Sequence, residues 1–271
     1  MDASAIYTLR KDRAFGQENC EDLWLQLAAT ILPLAPEREF TMSRSNQLAC
    51  AHSALVFATL LGLGIFGIAG WMPLVPPGLN AADLAVEFQQ HRMRIRFGMS
   101  VLAFASVFWW TMSAAIAMQM KRIEGTSHPL TYVQMASSCG TVLVILLASY
   151  FWLVGAYRGD LPPANLQMLN DFAWLTFVGC YPPGFIQNVS IGWCILTDRN
   201  SLPSYPRWVG FLTLWVAVLF LPGALLPFFH GGPFSWNGII GFWLVAVAFF
   251  GWILVMWWMT VRAIRSDPTL A

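Results

Sequence analysis

Inside a long apolar run the chain reads Tyr181-Pro182-Pro183-Gly184, with Gln187 and Asn188 close behind. Each proline removes a backbone donor and its ring crowds the preceding turn, so a helix through this point must kink or break. The carbonyls of Val178 and Gly179 are then left to find other partners. In lipid, such backbone is tolerated only against protein or a wet cavity, and several transporters build midplane sites from broken helices. Pro182, Pro183, Gln187 and Asn188 are therefore candidate substrate-binding residues. The alternative is a plain proline kink whose amides tie helices together.

A second cluster is His91-Arg92-Met93-Arg94-Ile95-Arg96, which puts three cations at a helix start that already carries positive partial charge. Arg94 and Arg96, together with Asp171, are candidates for an anion or carboxylate site and for shaping an outer entrance to the bundle. Alternatively, the arginines snorkel to headgroups or pair with Glu87, Asp160 and Asp171. Asp171 follows Asn170 at the expected start of the fourth apolar run, where a carboxylate also complements a helix N-terminus.

Absent residue patterns exclude several chemistries. The only lysines are Lys11 and Lys121, neither inside an apolar run, so no retinal Schiff base can form. His52 alone among the 4 histidines falls within such a run, which rules out a buried bis-histidine haem. There is no His-x-x-x-His, Glu-x-x-His or Gly-x-Ser-x-Gly, which removes intramembrane metalloprotease, di-iron and serine-hydrolase readings. The 5 cysteines are scattered with no Cys-x-x-Cys spacing, against both a zinc site and a disulfide framework. No cofactor and no metal is expected.

The elements that must position these residues are membrane spans. Hydrophobic residues make up 57% of the 271-residue chain and charged residues 11%, with a mean hydropathy of +0.58. A soluble domain carries roughly a quarter of its residues charged. The net charge of +1 gives no field that would attract nucleic acid. Six stretches, near 48–70, 97–119, 132–155, 171–196, 208–229 and 238–261, are long enough to cross a bilayer. The expected fold is thus an all-α membrane bundle of about six transmembrane helices, with span four broken by Pro-Pro-Gly. Lys and Arg divide 11 to 4 between the two sides, the larger share lying with both termini, which places N- and C-termini in the cytoplasm.

Shorter features refine this layout. Asn80 is an expected N-cap for an outer helix over Ala81 to Gln90, and Asn237 for span six. Trp71, Trp174, Trp208, Trp236 and Trp257-Trp258 fall near span ends, as interfacial anchors do. Ala54, Ala58 and Gly62 make a small-residue face on span one. Met42-Ser43-Arg44 stands just before that span as a natural start. Residues 1–43 are then either a native cytoplasmic N-terminal segment or a non-native upstream extension, and 44–271 form the six-helix domain.

The second half carries Leu169-Asn170-Asp171, the Pro182-Pro183 break with Gln187, Pro206-Arg207-Trp208, Leu221-Pro222-Gly223, and Gly232-Pro233-Phe234 with Trp236-Asn237-Gly238. With Arg94-Ile95-Arg96 and Gly98, these pieces resemble a group of uncharacterised bacterial polytopic membrane proteins. The resemblance implies a bacterial inner-membrane location and carries no activity. From the residues, the preferred reading is transport or binding of a small molecule or ion within the bundle. The rival is a non-transporting accessory or scaffold subunit, and a membrane enzyme on an apolar or lipid substrate is third. The expected partners are the bilayer and a second copy or a membrane subunit.

Overall fold

The computed structural model describes residues 44–267 and Leu270, and the calls on 1–43 lie outside them. Every regular element among the described residues is helical. Helix α1 (Arg44–Gly62) continues in π-helical turns over Leu63–Ile68. An outer helix α2 (Ala81–Gln90) leads into α3 (Arg92–Ala105) and α4 (Val107–Glu124), which together form one long crossing. Then follow α5 (Pro129–Tyr157), α6 (Pro163–Trp174) with π turns over Leu175–Gly179, and α7 (Pro182–Thr197). Helix α8 (Arg207–Phe220) tightens into 3₁₀ turns over Leu221–Phe228, and α9 (Val245–Arg265) is preceded by π turns over Ile239–Leu244.

Five of these paths, Arg44–Ile68, Arg92–Glu124, Pro129–Tyr157, Arg207–Phe228 and Ile239–Arg265, are long and apolar enough to cross a membrane. The expected fourth span is instead two helices, α6 and α7, parted at Cys180-Tyr181. The protein is an all-α, multi-pass membrane bundle. Helix α5 runs through its middle against α3, α4, α6 and α7, and α9 closes the bundle by packing on α1 and α8.

Backbone-to-backbone approach at two glycine pairs sets how tightly the helices cross. A Cβ at Gly98 would stand 2.5 Å from the Gly64 carbonyl oxygen, and one at Gly64 would stand 2.8 Å from that of Gly98. The same arrangement joins α7 to α8, where a Cβ at Gly192 would lie 3.0 Å from the Gly210 oxygen. Lipid gives apolar side chains no net drive to associate, so close packing of this kind holds helices together instead. By contrast, a Cβ at Gly62 would meet nothing within 4 Å, so the expected small-residue face of span one packs through Gly64 rather than Gly62.

Arg44 Nη2 donates to the Asp267 carbonyl oxygen at 3.0 Å, and Arg122 Nη1 pairs with Asp267 Oδ2 at 3.1 Å. Both ends of the described chain therefore sit at one end of the bundle, here the near end. In the loop between α7 and α8, the buried Tyr205 hydroxyl lies 3.0 Å from Thr260 Oγ1. Burial raises its pKa, so it stays protonated. The Asp267 carboxylate is 2% exposed, so replacing it leaves Arg122 facing a site built for an anion. Asp267→Asn is expected to cost about 2 kcal/mol, read as a lower unfolding temperature in detergent. Arg265→Ala, exposed at the same end, should change stability by less than about 0.5 kcal/mol.

At the far end, the expected N-cap of α2 is present, with Asn80 Oδ1 accepting from the Asp83 amide at 2.9 Å and Leu84 and Phe88 buried. The expected cap at Asn237 is corrected. Its side-chain oxygen accepts from Ser235 Oγ at 2.7 Å, and the amides of Ile240 and Gly241 donate to the Pro233 carbonyl instead. The Pro233-Phe234-Ser235 turn folds back over the helix start and takes the cap's place. Trp71, Trp174 and Trp236 are likewise not lipid-facing anchors, since each is at most 4% exposed. The rings of Trp71 and Trp174 each pack on Trp152 with centroids 4.9 Å apart, and Trp236 stacks on Trp174 at 6.3 Å. Trp208 and Trp258 do face outward.

Candidate functional site

The two prolines of the break open α7 at its first positions, where a missing amide proton costs nothing because those donors have no intrahelical partner. On the other side of the break the π turns of Leu175–Gly179 end at Cys180, whose amide donates to the Thr176 oxygen at 3.3 Å. The Gly179 carbonyl, expected to be freed, accepts from the Tyr181 amide at 2.9 Å. The backbone thus changes direction over Cys180-Tyr181, with the Gly179 carbonyl satisfied inside that turn.

The displaced chain leaves a partly open cavity of about 140 Å3 beside it. Cys180, Tyr181, Gly184 and Asn188 line it from the break, Thr141 and Ile145 from α5, and Leu61, Ile65 and Phe66 from the end of α1. Trp109, Phe220, Phe242 and Phe249 complete an aromatic wall, and no lining residue carries a charge. Irregular turns of α1, α6 and α9 all contribute lining residues.

The neighbouring amides Gln187 and Asn188 divide the two roles that their positions suggest. Gln187 is 1% exposed; its Nε2 donates to Ser113 Oγ at 3.3 Å and its Oε1 accepts from Thr141 Oγ1 at 3.4 Å, which ties α7 to α4 and α5. Asn188, 2% exposed, lines the cavity and donates from Nδ2 to the Gly184 carbonyl at 2.8 Å. Because a carbonyl can only accept, the amide cannot be turned over, and Oδ1 is left buried with no hydrogen-bond partner. Trp109 Nε1 is a buried donor in the same condition.

No family model matches the chain, and no solved structure matches it. The chain is similar to the heme A synthase of Brucella anthropi, with 24% identity over 206 residues, which is 64% of this chain and 52% of that protein. It spans about half the length of this curated relative.

The other residues singled out by spacing lie away from the cavity lining. Arg94 Nε donates to the Ile68 carbonyl at 3.1 Å, and its guanidinium fills the space beside Gly70, whose φ is +75°. Arg92 Nε donates to the Ala156 oxygen at 2.7 Å, and its Nη2 to Tyr157. These cations meet the negative C-terminal ends of the first crossing and of α5, which is the compensation that their own helix start required. The Arg96 guanidinium carbon lies 5.7 Å from the Tyr157 ring centroid.

Asp171 falls in the last turns of α6, because that helix begins eight residues earlier, at Pro163. It borders a shallow outer groove with Gln167, Met168 and Phe172. Pro183 packs against α5, where a Cβ at Gly140 would come within 3.0 Å. Trp109, Thr141 and the aromatic wall were not marked by any spacing, since a phenylalanine beside a cavity looks like any other apolar residue of a span.

Proposed function

We propose that this chain binds an uncharged small molecule within its helix bundle, at the cavity beside the span-four break, as a bacterial inner-membrane protein with both termini in the cytoplasm. The observation that carries this reading is the coincidence of break, cavity and an unpartnered buried amide oxygen at Asn188. Pockets for small molecules are largely apolar, with a few placed polar groups, and this one has that composition. An ion is disfavoured, because the lining offers no opposite charge to offset the cost of its desolvation.

Cys180 gives a direct test, since it is exposed and lines the cavity. In a protein that retains Cys180 alone, held in lipid nanodiscs, N-ethylmaleimide is expected to alkylate the thiol, and excess pentylbenzene to slow the reaction several-fold. Ala246→Phe, which fills the opposite wall, should abolish that protection. A labelling rate indifferent to pentylbenzene would overturn the reading.

Similarity to a heme A synthase favours a second reading, a membrane enzyme acting on an apolar molecule. The described cavity does not fit a haem: about 140 Å3 falls below the roughly 300 Å3 at which cofactor pockets begin. His52, the in-span histidine, faces outward, with Nδ1 accepting from Trp257 Nε1 at 3.0 Å. Among the lining residues there is no carboxylate or histidine to serve as a general base. Binding therefore stands ahead of catalysis.

A further inference from the structure

The cavity stands at mid-depth in the bundle. Thr141 and Ile145 line it about 18 to 24 Å from either end of α5, at roughly 1.5 Å of rise per residue. Trp109 lines it about midway along the long crossing Arg92–Glu124. The hydrocarbon core of a bilayer is about 30 Å thick, so this depth is far from water on both sides.

Packing closes the two routes along the bundle axis. Toward the far end, the cavity's Phe177 and Phe242 meet the rings of Trp152 and Trp174, with centroids 5.8 and 6.3 Å apart. Both indoles are fully buried. Toward the near end, Gln187 bridges α4 and α5, and the next turns of α4 and α7 bury Ile116 and Ile191. The opening is therefore sideways. Its lining includes the exposed Cys180 and the half-buried Val245, Ala246, Phe249 and Phe250. Val247, in the same turns of α9, is 71% exposed and faces lipid.

An apolar cavity of roughly 150 Å3 in a water-soluble protein stays dry and takes up benzene. This one, of about 140 Å3, opens onto liquid hydrocarbon instead. Carbon walls with nothing beside them forfeit contact energy. Lipid chains end near the middle of a bilayer, so chain ends are what stands at this mouth to restore it. A headgroup is excluded, because no lining residue carries a charge to meet one. Resting on the binding reading above, we infer that the guest is a membrane lipid, held by the end of one hydrocarbon chain that enters sideways from the bilayer core.

The test is photo-crosslinking of the full chain in nanodiscs that contain a phosphatidylcholine with a diazirine at the end of one chain. A second probe carries the diazirine beside the glycerol, and adducts are mapped by mass spectrometry. The chain-end probe is expected to mark Thr141 and Phe249 in the cavity as well as the outward-facing Leu147 and Val247. The glycerol-side probe should leave Thr141 and Phe249 unmarked. Ala246→Phe should abolish the adducts at Thr141 and Phe249 and keep those at Leu147 and Val247. The wild-type comparison of the two probes decides the question even if the variant does not fold. Adducts confined to Leu147 and Val247, or equal marking of the cavity by both probes, would overturn the inference. If pentylbenzene still protected Cys180, the cavity would then take free molecules and the binding reading would stand; without that protection, both fall.

Discussion

Gly98→Leu is expected to yield little folded protein, and what survives should unfold well below the wild type in detergent. The added Cβ alone would fall 2.5 Å from the Gly64 oxygen and 2.9 Å from the Ala69 amide nitrogen, and both are backbone atoms that no rotamer change can move. Overpacking of this kind costs about 1–3 kcal/mol where side chains can yield, and more where they cannot. Here the first crossing must be pushed off α3, which also draws Ile68 away from Arg94. Gly62→Leu is the matched control, because its side chain enters open space and should leave the unfolding temperature nearly unchanged. Equal behaviour of the two variants in thermal melts and size-exclusion profiles would show that the glycine crossing does not set the helix spacing.

Trp174→Ala is expected to lose about 3–5 kcal/mol, the range for removing a fully buried tryptophan. Its ring is 0% exposed and touches those of Trp71, Trp152, Trp236 and Phe242. These come from the loop after α1, from α5, from the turn before α9 and from the π turns that open α9. One deletion therefore loosens four segments at the far end. Trp208→Ala, on an outward-facing ring, should cost far less. Chemical denaturation of both variants in the same detergent would check the ranking.

The membrane bundle and most of its crossings could be read from apolar length, because bilayer thickness imposes that length on any helix. The outer helix after Asn80 was equally legible, since one side chain satisfies a helix start locally. The proline pair marked the break for the same reason: its effect is confined to the turn it occupies. Asp171 misled as a helix start because Pro163–Asn170 interleaves Ala164, Leu166, Met168 and Leu169 with polar Asn165, Gln167 and Asn170, so no continuous apolar run marks it, and the packing of α6 on α2 is tertiary. The tryptophans misled because an indole at a span end serves equally well facing lipid or facing three other indoles. Cavities are the least legible feature of all: Trp109, Thr141 and Asn188 come to line one cavity only through the arrangement of three helices, and no spacing along the chain encodes that.

The short length of α7 has one more consequence. Its 16 residues rise about 24 Å from the near end, against a hydrocarbon core of about 30 Å. Set upright with Thr197 at one boundary, α7 would end about 6 Å short of the other. The break at Cys180-Tyr181 would then stand nearer one face of the membrane than the other, and alkylation of Cys180 by an impermeant reagent added to each side in turn is expected to differ accordingly. A guest drawn from lipid would in that arrangement be taken first from one monolayer, so the sidedness of the membrane would join the chemistry of the lining in selecting what this protein encounters.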